Sequence, residues 1–467
     1  MSEELFDLGI VGLAVMGRNL ALNMADHGFS VMGYNRDPSR VGEFLTEGQG
    51  KSIAGTSDLA EFSRRLKTPR TVVLLVAAGS AVDAVLGSIT SHLDKGDLVV
   101  DLGNSYFGDT NRRLQAMQAT GYEFLGAGVS GGEEGARHGP AIMVGGSSAA
   151  WARIQPVFEA VAARAEDGTP CAARLGEGSS GHYVKMVHNG IEYAMMQVLA
   201  EAYDLMGRGA GMSNDQMADV FGEWARGEFG GFLIEISEAA LRKSDPETGG
   251  SLIDVVLDVG QGKGTGKWTS QDAMNLGIPV PAIDAAVAAR NLSALKDQRL
   301  RAADLYPATG SSEIDLAALR SAVHGAMVLA YCQGFALLAA ASAEYGYDLH
   351  LGQVASVWRN GCIIRSRLLS LFMDAFARHE DLPNPLLSRE VAPVVWGHVG
   401  SMAKIVAQAG AARIPVPALG ASLDYLLSYR SARLPASLIQ AQRDTFGAHT
   451  YARTDRPGAF HSDWMNP

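Results

Sequence analysis

Leu8-Gly-Ile-Val11, then Gly12-Leu-Ala-Val-Met-Gly17, then apolar positions at Leu20, Ala21 and Met24 follow one another near the start of the chain. The first run reads as a buried strand, the last three positions as the inner face of a helix, and the residues between as a GxAxxG turn. Small residues in such a turn let backbone N–H groups and a helix N-terminus approach a pyrophosphate. Between a strand and a helix the motif specifies a dinucleotide-binding unit. Gly12, Leu13, Ala14, Val15, Met16 and Gly17 are its candidate cofactor contacts.

A second strand-like run, Ser30-Val-Met-Gly-Tyr34, ends at Asn35-Arg36-Asp37. A fold that prefers NAD carries an acid near this place for the ribose 2′-hydroxyl, whereas Arg36 suits a 2′-phosphate and hence NADP. Asp37 opposes that preference by repelling a phosphate unless it points away or is paired, so NAD use stays open. Further strand-like runs at Thr71–Val76, Leu98–Asp101 and Phe124–Ala127 alternate with helical segments. Such alternation predicts an α/β Rossmann domain with a doubly wound, mostly parallel sheet whose ligands gather at the strand C-termini. Residues expected there are Val76, Ala77, Ala78 and Gly79, then Gly103-Asn104-Ser105, then Ser130-Gly131-Gly132 and onward to Gly135. Ser130 and the two glycines offer a hydroxyl and backbone N–H groups suited to a carboxylate.

From about residue 179 the pattern is helical. In Gly181-His-Tyr-Val-Lys-Met-Val-His-Asn-Gly-Ile-Glu-Tyr193, Lys185, Asn189 and Glu192 share one narrow sector, with Val184, Ile191 and Met195 on a neighbouring apolar side. Lys185 and Glu192 lie roughly 10 Å apart along the axis, too far for a direct pair but suited to opposite ends of a small ligand. The helical half also repeats itself. Ile278-Pro-Val-Pro-Ala-Ile283 returns as Ile414-Pro-Val-Pro-Ala-Leu419, and Ala218-Asp-Val-Phe221 as Ala355-Ser-Val-Trp358. Two such copies predict one all-α domain rather than a solenoid, which needs more units. At the position matching Arg290 the second copy has Leu426, so the cation is no part of the shared packing pattern. Gln261-Gly-Lys-Gly-Thr-Gly-Lys-Trp268 reads as a glycine-rich loop able to touch an anion, without Walker A spacing. The tail carries Arg430, Arg433, Arg443, His449, Arg453 and Arg456, with Leu434, Leu438, Phe446 and Tyr451 as expected apolar anchors. The boundaries drawn are 1–178 for the dinucleotide-binding domain, 179–433 for the helical domain and 434–467 for the tail.

A chain of 467 residues with 47% hydrophobic content can bury large cores. Its net charge of −11 argues against general nucleic-acid or membrane binding, so anionic ligands require local clusters of cations. Cys171, Cys332 and Cys362 make neither a disulfide framework nor a metal motif, and no metal is expected. No run reads as a membrane span and the acidic start is unlike a signal peptide, so a cytoplasmic enzyme is expected.

Together GLAVMG (12–17), GVSGGEEGA (128–136), GHYVKMVHNGIEY (181–193), KGTGKWTSQ (263–271), LKDQR (295–299) and QRDTFGAHTY (442–451) resemble the 6-phosphogluconate dehydrogenase family along nearly the whole chain. The resemblance implies oxidative decarboxylation of 6-phospho-D-gluconate to D-ribulose 5-phosphate and CO2 with reduction of NADP. It casts Lys185 as base and Glu192 as acid. Substrate contacts fall to Asn104, Ser130, Gly131, Gly132, His188, Asn189, Tyr193, Lys263, Arg290, Arg443 and His449, the last two reaching the site of the partner in a homodimer. Asn35, Arg36, Asp37, Val76, Ala77, Ala78 and Asn104 join the turn as cofactor contacts. The chain departs from the family pattern at Asp37, Ala77, Leu102 and Gly262, on the cofactor side more than on the proton-transfer helix. Two other readings are a β-hydroxyacid dehydrogenase for another small acid and a non-catalytic NADP-binding protein.

Overall fold

The computed structural model describes residues 4–262, 264–306, 310 and 313–466. Its strands are β1 (Leu8–Val11), β2 (Val31–Tyr34), β3 (Ile53–Thr56), β4 (Thr71–Leu74), β5 (Leu98–Asp101), β6 (Glu123–Ser130), β7 (Ala141–Gly145) and β8 (Ala172–Gly176). They form one sheet in the order β3-β2-β1-β4-β5-β6-β7-β8. Every pair is parallel except β6 with β7. Helices cover both faces, so β1, β4 and β5 are buried at every residue and read as continuous apolar runs. Three strands lie outside the sequence reading: β3 and β8, because Ile53-Ala-Gly-Thr56 and Ala172-Ala-Arg-Leu-Gly176 are short and rich in small residues, and β7, whose apolar Ala141-Ile-Met-Val-Gly145 is too short to distinguish strand from buried helix. Strand β6 runs past the expected Ala127 to Ser130, which pairs with Ala141 and is thereby fixed on the ladder rather than in a loop.

The GxAxxG turn joins β1 to the helix Val15–Asp26. Gly12 has φ +102°, and a Cβ there would lie 2.4 Å from the Leu75 carbonyl oxygen. A Cβ on Gly17 would lie 1.8 Å from the Gly12 carbonyl, so both glycines are required by close backbone approach.

After β8 the chain enters the central helix Ser180–Asp204, which packs against β6 and β7 on one side and the helix Leu316–Tyr345 on another. Val184, Ile191 and Met195 are buried in the same core as Leu329 and Phe335. The helix Leu316–Tyr345 corrects the reading that no run is apolar enough to span a membrane. Its best window reaches a mean hydropathy of 1.6, with 78% of that window buried inside the protein as core.

The repeat is equally visible in backbone geometry. Val280 (φ −128°, ψ 53°) precedes the helix Pro281–Ser293, and Val416 (φ −133°, ψ 59°) precedes the helix Pro417–Tyr429. These two helices pack together, and each takes its N-terminal cap from a long helix of the other copy. Gln333 Oε1 accepts from the Ala282 N–H (3.0 Å), while Glu201 accepts from the N–H groups of Ala418 (2.8 Å) and Leu419 (2.9 Å).

The tail is a small unit built on Asp444, at the end of the helix Ala436–Gly447. Its buried carboxylate accepts from the Thr450 and Ser462 N–H groups and the Trp464 indole, and pairs with His461. A two-stranded hairpin, β9 (Tyr451–Ala452) with β10 (Ala459–Phe460), completes it. The expected apolar anchors are corrected in part. Tyr451 packs on Phe460 and Trp464, but Leu434, Leu438 and Phe446 are exposed, so they anchor nothing within their own chain.

Candidate active site

Lys185 comes from the middle of the central helix, where Gly128 of β6 leaves room for its stem: a Cβ on Gly128 would sit 2.1 Å from the Lys185 Cβ. The residue is only 6% exposed, and burial pushes its pKa below the usual lysine value against the opposing charge of Glu192. Glu192 is shifted the other way. Burial raises its carboxyl above the usual range, although Lys185 and Arg290 pull it down.

His188 stands between them. Its Nδ1 lies 3.3 Å from Lys185 Nζ, 3.1 Å from Asn189 Oδ1 and 3.8 Å from Glu192 Oε2, and its Nε2 lies 3.2 Å from Ser130 Oγ. Burial, then the charge of Lys185, hold the imidazole well below its ordinary pKa, hence neutral. These partners fit the tautomer protonated on Nδ1, with Asn189 accepting and Ser130 donating to Nε2. Asn189 in turn donates to Thr265 Oγ1 (3.1 Å). The expected glycine-rich loop is corrected here. Thr265-Gly-Lys-Trp268 is the first turn of the helix Thr265–Asn275, while Lys263 lies outside the described residues.

Arg290 stacks its guanidinium on Tyr193, 3.6 Å from the ring centroid. It has no carboxylate within salt-bridge range among the described residues, and it donates to the Gln261 carbonyl (3.4 Å). This cation therefore stays available to an anion.

One neighbour was invisible in the sequence. The Ile363 N–H donates to Ser130 Oγ (3.3 Å), and a Cβ on Gly131 would meet the Gly361 carbonyl at 2.6 Å, so residues 361–363 form a wall beside Ser130-Gly131. The buried Cys362 thiol, pushed up to about 12 by burial, is neutral in that wall. Nothing local to a stretch more than two hundred residues from Ser130 announces the contact. All three cysteines are free and buried.

On the cofactor side, a cavity of about 430 Å³ is lined by Gly12, Ala14, Asn35, Arg36, Asp37, Val76 and Ala77 among others. Asn35 Oδ1 accepts from the Leu13 N–H (3.2 Å), fastening the turn to the end of β2. Asp37 caps the helix Pro38–Glu47, accepting from Ser39 N (2.9 Å) and Oγ (2.8 Å), which lowers its pKa. Its carboxylate is thus paired. Leu13 is buried, Val15 is exposed and Met16 is half-buried. Ala77 and Ala78 are exposed at the end of β4, and Asn104 and Gly132 are exposed beside the cluster elements β5 and β6.

The structure gathers Ser130, Lys185, His188, Asn189 and Glu192, with Tyr193 and Arg290 next to them. It does not bring Arg443 and His449 to that cluster within one chain. Arg443 donates to Gln440 (3.3 Å), His449 faces Phe446, and neither bonds to a cluster residue among those described.

The family model for the NAD binding domain of 6-phosphogluconate dehydrogenase matches residues 7–176, and that for the 6-phosphogluconate dehydrogenase C-terminal domain matches residues 181–464. The NADP(+)-dependent, decarboxylating 6-phosphogluconate dehydrogenase of Bacillus subtilis is 47% identical over 471 residues, covering 100% of both chains. The decarboxylating enzyme of Escherichia coli is 45% identical over 472 residues with the same coverage. The Plasmodium falciparum enzyme, solved apo, with its cofactor NADP+ and with its substrate 6-phosphogluconate, superposes with a TM-score of 0.95 at 40% identity, covering 98% of this chain and 100% of that one. With both halves of the chain matched by the family's models and its relatives aligned over the whole length, this chain belongs to the 6-phosphogluconate dehydrogenase family.

Proposed function

We propose that the buried face of the central helix divides one reaction between a base, Lys185, and an acid, Glu192. The chain is an NADP-dependent, decarboxylating 6-phosphogluconate dehydrogenase, which converts 6-phospho-D-gluconate to D-ribulose 5-phosphate and CO2. The observation that carries the division of labour is the pair of opposite pKa shifts on one helix face: a lysine made easier to deprotonate and a carboxyl made easier to protonate.

The residues present fit NADP. Gly12 leaves the backbone open for a pyrophosphate, the cavity beside it is bounded by Arg36 for a 2′-phosphate, and Asp37 is held by Ser39 at a helix N-terminus. When bound, the cofactor supplies the hydride acceptor. Neutral Lys185 takes the 3-hydroxyl proton as C3 is oxidised, then returns it to the C3 carbonyl oxygen as CO2 leaves the β-keto acid. Protonated Glu192 delivers a proton to C1 of the resulting enediol, while Lys185 recovers the enol proton as the ketone forms.

Ser130 and the backbone of Gly131 and Gly132 hold the substrate carboxylate, and Asn104, His188 and Asn189 its hydroxyl groups. Tyr193, Arg290 and Lys263 take the phosphate, for which a guanidinium fork gives paired hydrogen bonds. Arg443 and His449 complete the site from a second copy of the chain. Exposed Leu438 and Phe446 on the tail support this reading, because their apolar surface is uncovered in one chain. A homodimer with shared sites, working in the cytoplasm on a small anionic substrate without nucleic acid or membrane, is the assembly proposed.

The test is an assay of nicotinamide reduction and CO2 release with 6-phosphogluconate and NADP, run beside gluconate and beside NAD. Turnover is expected only with the phosphorylated acid, and faster with NADP. Equal rates on gluconate would favour a dehydrogenase for unphosphorylated acids.

A further inference from the structure

We infer that Arg113 is a positioning residue that holds the loops after β4 and β5 at a fixed separation, so that the cofactor-lining segment and Asn104 face the proton-transfer helix together. The inference rests on the proposed roles of Val76, Ala77, Ala78 and Asn104. Arg113 lies on the helix Phe107–Thr120 and is 2% exposed, among the largest fully buried side chains of the protein. Desolvating a guanidinium is costly, and an apolar residue of similar volume packs a core at least as well. Packing alone therefore does not explain it.

Its hydrogen bonds reach both loops. Toward the first, Nη2 donates to the Gly79 carbonyl (2.9 Å), while Nε (2.8 Å) and Nη2 (3.1 Å) grip the carboxylate of Asp83 on the helix Ser80–Ile89. Gly79 directly follows Val76, Ala77 and Ala78, of which Val76 and Ala77 line the cofactor cavity. Toward the second loop, Nη1 lies 3.4 Å from Ser105 Oγ and 3.7 Å from the buried carboxylate of Asp101. Asp101 itself accepts from the Gly103 N–H (3.0 Å) and from Ser105 Oγ (2.6 Å). Both neighbours of Asn104 are thus pinned to one carboxylate while the Asn104 side chain stands exposed between them.

A guanidinium between two carboxylates is a rigid spacer, because its planar fork fixes direction as well as distance. Arg113 also holds the Asp83 carboxyl down at about 2, keeping that partner charged across the working pH range. β4 and β5 are adjacent in the sheet, and ligands of such sheets sit at the strand C-termini that these loops extend. A small change in loop separation would therefore be felt by the cofactor first.

The experiment compares Arg113→Met, Arg113→Lys and Ser105→Ala with the wild type for NADPH dissociation constant, 6-phosphogluconate dissociation constant, kcat and melting temperature. Ser105→Ala is included because Arg113→Met leaves the buried Asp101 carboxylate without its guanidinium and could fail to fold, while Asp83 keeps Arg112; losing one buried hydroxyl is the milder change. The expected result for Ser105→Ala is an NADPH dissociation constant raised at least threefold and a lower kcat, with the melting temperature lowered by only a few degrees because one hydrogen bond to the buried Asp101 carboxylate is lost. Arg113→Met should show a loss of at least tenfold and Arg113→Lys an intermediate one, with substrate affinity falling by a smaller factor in each, because Asn104 is the one proposed substrate contact on the two loops. Folded variants that keep NADPH affinity and kcat within twofold of wild type would overturn the inference. So would equal losses for cofactor and substrate that track the melting temperature. Failure of the wild type to bind NADPH would strike the functional reading instead.

Discussion

The helices Ser180–Asp204 and Leu316–Tyr345 occupy corresponding places in the two copies of the repeat, yet they bury different chemistry. The first encloses His182, Lys185, His188 and Glu201; the second encloses His324 and Gln333 but no Asp, Glu, Lys or Arg. The same contrast separates the helices that begin with the Pro-Val-Pro motif, where Arg290 is stacked on Tyr193 and Leu426 is buried. The second copy demonstrates that the architecture needs only apolar packing and a neutral cap. Buried ionisable groups are disfavoured unless something requires them; Glu201 is required as a cap, and Lys185 and His188 are the ones the proposed ligand chemistry would require.

Making the first copy more like the second breaks that contrast in graded ways. Lys185→Met should lower the rate of oxidation by about 10² to 10⁴-fold, the usual contribution of a positioned base. Its melting temperature should hold or rise, since a buried amine held by one long contact to His188 gives way to an apolar stem. Stopped-flow absorbance and thermal unfolding check both. Arg290→Leu, which installs the residue of the second copy, should raise KM for 6-phosphogluconate by roughly 10 to 100-fold, as expected for losing charge-assisted hydrogen bonds of ~1.5–3 kcal/mol. Circular dichroism should be unchanged, because Leu426 already fits the equivalent helix.

Glu201→Gln should have the smallest effect. A carboxylate serves two N–H groups at the start of the helix Pro417–Tyr429, whereas an amide accepts through one oxygen, as Gln333 does. A loss of about 1–2 kcal/mol is expected, read as a lower melting temperature. Burial raises the Glu201 carboxyl from 4.5 to about 7, opposed by its hydrogen bonds from Leu419, Ala418 and Gln197. The folded state then holds more protons than the unfolded one between those values, so this group's stabilising contribution falls as pH rises from about 4.5 to about 7. The variant should flatten stability across that window, and an unchanged slope would assign it to other groups.

The elements legible in the sequence were those governed by local pattern. The GxAxxG turn, the continuous apolar strands and the Lys185–Asn189–Glu192 stripe each follow from spacing along one element. β3 and β8 are not, since short runs of small residues carry no period of their own, and neither is β7, a short apolar run that fits a strand or a buried helix equally well. The long apolar helix is hard to see in the sequence because Gln333 and the many small residues break the run of large apolar side chains, although the mean hydropathy of its best window still reaches 1.6. Within the site, His188 lies three residues from Lys185 and four from Glu192, so those contacts follow from helical spacing, whereas its bond to Ser130 depends on helix packing against β6 and the wall at residues 361–363 on a contact between distant segments. Neither leaves a trace in spacing. Asp37 was ambiguous as a charge beside a cofactor phosphate, and became interpretable only through its two bonds to Ser39.

The most direct measurement of the central claim is a single-turnover experiment that follows nicotinamide reduction and ribulose 5-phosphate formation in Lys185→Met and Glu192→Gln, with NADP and 6-phosphogluconate in both. If the buried face separates base from acid, Lys185→Met binds substrate but gives no reduction burst. Glu192→Gln gives one reduced cofactor per site, with ribulose 5-phosphate forming much more slowly. A full burst in Lys185→Met, or identical blocks at the reduction step in both variants, would contradict the account.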